Sequence, residues 1–188
     1  MKNLIQHIQN YVQLTDLEIK SINEKTRLKF VKKKEFLLRG GEVCKYNYFV
    51  SKGCLRMYFI KENGTVQITQ FAIENWWISD YMSLMKQQVS PFYIQAIEDT
   101  RIIQLSTSGA ERLFNEVPQL ERYFRLVMQH AYAASQFRIK FLYDYSREEL
   151  YHHFSSHFPE FVQRVPQYML ASYLGFTPEY LSEIRKKK

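Results

Sequence analysis

The chain has 188 residues, a formal net charge of +7, a pI near 9.3 and 46% hydrophobic residues. This length provides for one well-formed core, alone or with a small second domain. The positive charge favours a polyanionic partner, although charge alone does not distinguish nucleic acid from a membrane surface. Two cysteines, Cys44 and Cys54, are too few for a disulfide framework or an all-cysteine iron–sulfur site, so we expect buried free thiols.

Apolar runs in the sequence are short. None approaches the roughly 20 residues that a membrane-spanning helix requires, and no uninterrupted apolar stretch follows the N-terminal lysine. We therefore expect a soluble cytoplasmic protein that has no membrane partner.

Helical and strand patterns follow each other along the first half of the chain. Residues 1–23 carry apolar side chains at helical spacing, and Thr15 with Glu18 forms a capping-box pattern for a second helix. Short segments rich in aromatic and β-branched residues then alternate with turn signals over residues 27–106, and Asn63-Gly64 is the strongest hairpin signal. These closely spaced strands predict an α+β protein with an antiparallel sandwich or barrel.

Residues 20–45 form the most basic stretch of this region. They include nine basic and three acidic residues. Two interpretations stay open: a solvated or phosphate-facing edge, or a charged strand edge that prevents aggregation.

A barrel of this kind can house a metal-dependent enzyme, so the positions of possible ligands matter. The histidines are His7, His130, His152, His153 and His157, and none lies in the strand region. His153 and His157 are four residues apart on a predicted helix over residues 147–157, which Ser146 caps, but no acidic or cysteine partner is placed beside them. The chain also lacks a Gly-x-Ser-x-Gly elbow, a Walker phosphate loop and a Cys-x-x-Cys motif. We expect no enzyme, no metal site and no cofactor.

A long helix is predicted from residue 117 to about residue 143. Its apolar stripe steps by threes and fours through Leu120, Phe124, Val127, Ala131, Ala134 and Phe141. Arg138 interrupts this stripe. Such a stripe with small residues at its middle suits pairing with an identical helix, so we predict a homodimer interface here. Packing against the protein's own barrel is the alternative.

Residues 165–188 have the pattern of two short helices joined by a tight turn. Pro166 suits the start of the first helix, Gly175 ends it, and Thr177 provides an N-cap for the second. The predicted DNA-facing residues are Thr177, Glu179, Tyr180, Ser182, Glu183, Arg185 and Lys186, followed by Lys187 and Lys188, which would meet phosphates. A helical hairpin with an ordinary solvated face is the alternative.

The order of these parts resembles the Crp/Fnr family of bacterial transcription regulators, especially compact members that end soon after the recognition helix. The most specific similarity lies in residues 163–185, and Gly41, Gly53 and Gly64 fall where the family's β-roll turns would be. The resemblance implies a cyclic-nucleotide-binding-domain-like jelly roll (double-stranded β-roll) within residues 1–116, a connecting and dimerisation helix at 117–145, and a helix-turn-helix domain at 146–188.

The resemblance also implies how DNA is bound. Two recognition helices of a homodimer would enter successive major grooves of double-stranded DNA, about 34 Å apart on a palindromic site. By position, Glu179, Ser182 and Glu183 would face base edges, with Thr177 and Arg185 nearer the backbone. Glu183 stands where many members have an arginine that suits guanine, and a glutamate would instead accept a hydrogen bond from cytosine.

The sensor half departs further from the family. Its cyclic-nucleotide binders use a Gly-Glu-x-x-Leu segment and a Pro-Arg pair to hold the ribose and the cyclic phosphate. The corresponding residues 74–96 contain Ser90-Pro91-Phe92 and no arginine, so we expect no useful affinity for cyclic AMP. Candidates for a pocket that binds another, unknown effector are Glu74, Trp76, Trp77, Tyr81, Phe92 and Tyr93, with ordinary core packing as the alternative.

Two classes of function follow from these observations. The first is a sequence-specific DNA-binding regulator. The second is a ligand-binding or protein-interaction β-roll that does not bind specific DNA.

Overall fold

The computed structural model describes residues 1–186, so the predicted phosphate contacts of Lys187 and Lys188 lie outside the described residues. The chain folds into two compact units. The first, which we call the roll unit, comprises Met1–Phe59 and Gln70–Met128. The second, the C-terminal unit, comprises Ile60–Thr69 and Gln129–Lys188.

Within the described residues the chain forms eight strands and nine helices. The strands are β1 (Thr26–Val31), β2 (Phe36–Leu38), β3 (Tyr46–Lys52), β4 (Leu55–Ile60), β5 (Val66–Ala72), β6 (Trp77–Ile78), β7 (Tyr93–Ala96) and β8 (Thr100–Ser106). The helices are α1 (Lys2–Gln9), α2 (Asp16–Lys25), α3 (Tyr81–Lys86), α4 (Thr107–Glu116), α5 (Gln119–Asp144), α6 (Arg147–His157), α7 (Pro159–Arg164), α8 (Gln167–Leu174) and α9 (Pro178–Lys186). None of these helices combines the length and the apolar character that a membrane span requires.

The strands form two four-stranded sheets with the orders β1-β8-β3-β6 and β2-β7-β4-β5. All the described pairings are antiparallel, as the sequence predicts. Successive residues of a strand point to opposite faces, so Ile102 and Ile103 of β8 enter different cores. Ile102 packs between the sheets, whereas Ile103 packs under the helices. β8 is therefore buried on both faces at Ile102 and Ile103.

The roll unit contains two hydrophobic cores. One lies between the sheets and includes Leu38, Val50, Leu55, Ile94 and Ile102. The other joins the outer face of the first sheet to the helices and includes Leu4, Ile22, Phe49, Leu113, Leu120 and Tyr123. Cys44 and Cys54 are fully buried free thiols in this unit, as predicted.

The predicted hairpin at Asn63-Gly64 is present. The Lys61 N–H donates to the Thr65 carbonyl at 2.9 Å, and the Gly64 N–H donates to the Lys61 carbonyl at 2.8 Å. Gly64 has a φ of +81°, which a residue with a Cβ rarely adopts. The tip of this hairpin, residues 60–69, belongs to the C-terminal unit.

The C-terminal unit is built around α6, α8 and α9. Ser146 and Glu149 form a reciprocal capping box at the start of α6, which confirms Ser146 as its N-cap. The core of the unit consists of Leu150, Tyr151, Leu170, Ala171, Leu174, Phe176, Leu181 and Ile184. This core holds α8 and α9 as one body.

The structure differs from the sequence-based division in two respects. The long helix is present as α5, but the two units meet inside it, between Met128 and Gln129, because its first turns pack in the roll core through Leu120 and Tyr123. The hairpin tip was expected in the sensor domain and instead groups with the C-terminal helices. Helices α3, α4 and α7 were not predicted.

Candidate DNA interface

Helices α8 and α9 meet at a glycine turn. Gly175 adopts a left-handed φ of +80° at the end of α8, as predicted. The Phe176 N–H donates to the Ala171 carbonyl at 2.8 Å, which closes the end of the helix. At the start of α9 the Tyr180 N–H donates to Thr177 Oγ1 at 3.2 Å, so Thr177 acts as the predicted N-cap.

One face of α9 is buried and the opposite face is polar. Leu181 and Ile184 are 1% and 2% exposed, and they pack against the residues of α8 in the core of the C-terminal unit. The predicted DNA-facing residues that are exposed are Thr177, Glu179, Ser182, Glu183, Arg185 and Lys186. The helix therefore presents donors, acceptors and cations together on its outer face, as base edges and phosphates require.

Tyr180 occupies a different environment from its neighbours on α9. Its ring is half-buried, lies edge-on to the Phe176 ring at 5.8 Å between centroids, and has the Arg147 guanidinium 5.6 Å from its centre. These contacts brace α9 against the turn and against α6. Tyr180 is thus a packing residue, a role that the sequence did not reveal.

A cleft of about 360 Å³ opens beside α9. It is lined by Gln167, Pro178, Leu181, Ser182, Arg185 and Lys186. The Gln167 side-chain carbonyl oxygen is buried and has no hydrogen-bond partner among the described residues, whereas its amide nitrogen donates to the Val162 carbonyl. Gln167, the first residue of α8, thus joins the exposed basic residues of α9 at this cleft, a position that the sequence analysis did not single out.

The predicted dimer stripe on α5 is divided between two environments. Leu120 is 1% exposed and lies in the roll core. Phe124 and Val127 pack partly against the same core, with the Phe124 ring 5.2 Å from that of Trp77. Leu120 is therefore unavailable to a second chain, and the prediction is wrong for that residue because the start of α5 belongs to the roll.

Further along α5 the stripe is open. Ala131 and Ala134 lie in a stretch, residues 129–137, in which every side chain is exposed. Tyr132 and Phe137 in this stretch are 67% and 58% exposed. Phe141, in contrast, stacks on Tyr145 within its own unit.

The candidates for an effector pocket make separate contacts within the roll unit. They contact separate partners: Glu74 with Gly53, Trp77 with Phe49 and Tyr123, Tyr81 with Asn47, Phe92 with Phe59, and Tyr93 with Tyr58. Trp76 is 49% exposed, on the opposite side of the backbone from buried Trp77. A cleft of about 580 Å³ in the roll unit is lined by none of the six. The alternative of ordinary packing describes Trp77, Phe92 and Tyr93.

In the segment that would hold a cyclic nucleotide, a buried carboxylate accepts the hydrogen bonds of nearby donors. Asp80 is 5% exposed, and its Oδ1 accepts from the backbone N–H groups of Met82 and Ser83 at 3.1 and 3.2 Å. The Ser90 hydroxyl donates to Oδ2 at 2.6 Å. A cyclic phosphate would have to compete with this carboxylate for its donors, and residues 74–96 supply no arginine to offset the added charge. The residues present do not fit a cyclic nucleotide.

A buried polar contact joins α1, β6 and α5 within the roll unit. The Trp77 indole N–H donates to the Tyr123 hydroxyl oxygen at 2.8 Å, and this hydroxyl lies 2.9 Å from His7 Nδ1. The Tyr123 hydroxyl therefore accepts from Trp77, and the tautomer of His7 determines which of the two groups donates in the second contact. Burial lowers the pKa of His7 and so favours its neutral form.

Possible metal ligands are sparse. Among residues 1–186 no three histidine, cysteine, aspartate or glutamate side chains gather in a way that could hold a metal ion. The rings of His153 and His157 lie 4.1 Å apart, and His157 Nδ1 bonds to the His153 carbonyl at 2.8 Å. The pair therefore forms a local helix contact.

Comparison with known proteins supports this architecture. Residues 28–117 match the family described as the cyclic nucleotide-binding domain. The chain is 31% identical over 98 residues to the transcriptional activator protein Anr of Pseudomonas protegens, covering 52% of this chain and 39% of that protein. It is 24% identical over 171 residues to the anaerobic regulatory protein of Pasteurella multocida, covering 84% of this chain and 61% of that one.

A solved structure extends the similarity to the fold. FixK2 from Bradyrhizobium japonicum superposes with a TM-score of 0.69 at 19% identity, over 86% of this chain and 83% of that chain. This confirms the predicted combination of a β-roll, a long helix and a C-terminal helix-turn-helix. The chain spans less than two thirds of the length of the two curated relatives.

Proposed function

We propose that this chain, which belongs to the Crp/Fnr family, is a sequence-specific DNA-binding transcription regulator that acts as a homodimer on a palindromic site. The observation that carries the proposal is the outer face of α9. Glu179, Ser182 and Glu183 are exposed on a helix whose other face is locked against α8, and Arg185 and Lys186 follow at its end. Polar groups that reach base edges beside cations that reach phosphates are the features of a recognition helix.

The proposed regulator does not respond to cyclic AMP. The Asp80 carboxylate takes the donors of the segment that would hold the phosphate. The effector, where there is one, therefore has a different chemistry.

Selection of bound sequences from a random duplex pool at moderate salt tests this function. A regulator of this type enriches a palindrome with half-sites about one helical turn apart. The enriched motif also reports which base Glu183 reads, with cytosine expected. Binding that is only sequence-blind and salt-sensitive would favour the alternative, a ligand-binding or protein-interaction module.

Alanine substitution of Arg185 and Lys186 locates the interface. Affinity for the selected site should fall by roughly 1 to 3 kcal/mol for a lost base contact. The slope of log affinity against log salt concentration should become shallower by about one for each lost phosphate contact. The matched control replaces Lys2 and Lys20, two exposed lysines of the N-terminal helices, and removes the same charge. An equal effect of both double variants would show that net charge, and not α9, binds the DNA.

A further inference from the structure

A serine of α8 bonds to the exposed edge of β5. β5 is an edge strand of the second sheet, and its residues 66–69 lie in the C-terminal unit. The Ser172 hydroxyl donates to the Val66 carbonyl at 2.7 Å and accepts from the Ile68 N–H at 3.0 Å. One hydroxyl thus satisfies the two backbone groups that a neighbouring strand would otherwise pair.

Two further contacts reinforce this attachment. The Gln67 side-chain amide donates to the Ser172 carbonyl in the last turn of α8, where helical carbonyls lack partners within the helix. Arg138 of α5 donates to the Thr69 carbonyl of β5, and also to the Tyr173 carbonyl of α8 at 2.9 Å. Its guanidinium carbon lies 4.1 Å from the centre of the Tyr173 ring.

Arg138 therefore joins three elements, α5, β5 and α8, through one planar group. The five donors of a guanidinium have a fixed geometry that suits two carbonyls at once, which a lysine cannot reproduce. This contact accounts for the charged residue that interrupts the apolar stripe of α5. It also places a positive charge at the C-terminal end of α8, where the helix dipole favours it.

We propose that the hairpin tip, residues 60–69, is part of the DNA-reading apparatus, and that Ser172 and Arg138 are positioning residues for the recognition helix. The inference rests on the proposed function. Because α8 and α9 share one core through Leu170, Leu174 and Leu181, whatever fixes α8 also fixes α9. The hairpin and α5 thereby set the direction in which the exposed face of α9 points.

Ser172 and Arg138 affect the orientation of α8 and α9 and not the folding of these helices. The bonds of Ser172 and Arg138 lie on the outer side of α8, and neither residue contributes to the core that joins the two helices. A dimer reads two half-sites at a fixed spacing only when both recognition helices are held at a fixed angle. Loss of the hairpin contacts should therefore relax the accepted spacing.

The test compares Ser172→Ala and Arg138→Lys with the wild-type full-length chain in the random duplex selection. Alanine is a good helix former, and lysine keeps the charge but not the bridge. We expect both variants to accept a wider range of half-site spacings and to bind the wild-type site about tenfold more weakly. Sequence-blind affinity and its salt dependence should stay unchanged, because no phosphate contact is removed.

Ser155→Ala is the matched control. Its hydroxyl donates to the Tyr151 carbonyl at 2.7 Å within α6, so this serine bonds inside its own helix. The control should select the same spacing as the wild type. The inference would be overturned if both Ser172→Ala and Arg138→Lys kept the wild-type spacing and affinity. It would also be overturned if specific and sequence-blind binding fell equally, because that result indicates general unfolding.

Hydrogen exchange separates this inference from the proposed function. If the wild-type chain selects no palindrome, the regulator proposal fails. The exchange rate of the Ile68 amide hydrogen then still tests whether Ser172 binds the hairpin. Its exchange should become at least tenfold faster in Ser172→Ala, while the amides of Leu181 and Ile184 in α9 keep their protection. Equal exchange of Ile68 in the variant and the wild type would contradict the attachment itself.

Discussion

Asp80 changes the chemistry of residues 74–96, the segment that corresponds to the nucleotide-binding segment of related proteins. Its carboxylate is buried and accepts three hydrogen bonds, so it caps α3 and holds Ser90. A buried carboxylate with this many donors is well satisfied and has no reason to yield them to a phosphate. Asp80 therefore stabilises the roll unit at the position where a nucleotide-binding protein would need an open site with a positive charge.

We therefore predict that cyclic AMP does not bind. Titration of the full-length chain with cyclic AMP at micromolar concentration should give no saturable heat, because two like charges would share one set of donors without an arginine. The check is isothermal calorimetry, with the same titration into buffer as the control. A saturable signal of about one nucleotide per chain would contradict the prediction.

His7 gives the roll unit a pH dependence whose sign follows from its pKa. Burial lowers the pKa of His7, so a proton binds more readily to the unfolded chain, in which histidine titrates near 6.5. The contribution of neutral His7 to stability is fully present above that pH, and it is lost as the pH falls through the lower folded-state pKa.

We expect the free energy of unfolding in urea to decrease between about pH 7.5 and about pH 5.5, and to decrease less in His7→Gln. Glutamine keeps a polar group at this position but does not titrate. The measurement is a pair of urea titrations for each protein at the two pH values. An identical pH dependence of the two proteins would assign the effect to other groups.

At the scale of elements, two glycine turns with similar backbone angles differ in what surrounds them. Gly64 has a φ of +81°, and a Cβ added there meets no atom within 4 Å. Gly53 has a φ of +107°, and a Cβ there would lie 2.7 Å from the Cα of Thr100. Both turns were predicted from sequence, but only the structure shows that one of them is enclosed.

Alanine substitution should separate the two positions. Gly64→Ala should cost about 1 to 2 kcal/mol for the left-handed conformation alone. Gly53→Ala should cost roughly 3 kcal/mol or more, because the backbone of β8 must move in addition. Urea unfolding of the two variants measures the difference, and equal costs would show that β8 accommodates the added methyl group without strain.

Elements with local signals could be predicted, and contacts between distant residues could not. The caps at Thr15, Ser146 and Thr177 lie within three residues of their partners, so the sequence predicts the helix starts correctly. Strands β2 and β6 have three and two residues, too few to show an alternation. The interruption at Arg138 was visible, but its carbonyl partners on β5 and α8 are 69 and 35 residues away in the chain.

At the scale of the whole molecule, the exposed middle of α5 requires an explanation. A helix in water is stabilised chiefly by packing one face, yet residues 129–137 have no covered face in the single chain. Ala131 and Ala134 are small enough for the close approach of a second helix. A second copy of α5 is the partner that the proposed palindromic readout requires.

We predict that Ala134→Glu weakens the dimer and that Ala133→Glu does not. Both alanines are exposed on α5, but Ala133 lies off the stripe, roughly 130° around the helix from the direction shared by Ala131 and Ala134. A glutamate on the stripe would bring two like charges together at the interface, whereas one at position 133 stays in water. Sedimentation at several concentrations measures the association, which should weaken by at least tenfold in Ala134→Glu. Equal weakening in both variants would mean that helix stability governs the association, and no change in either would place the interface away from this stripe.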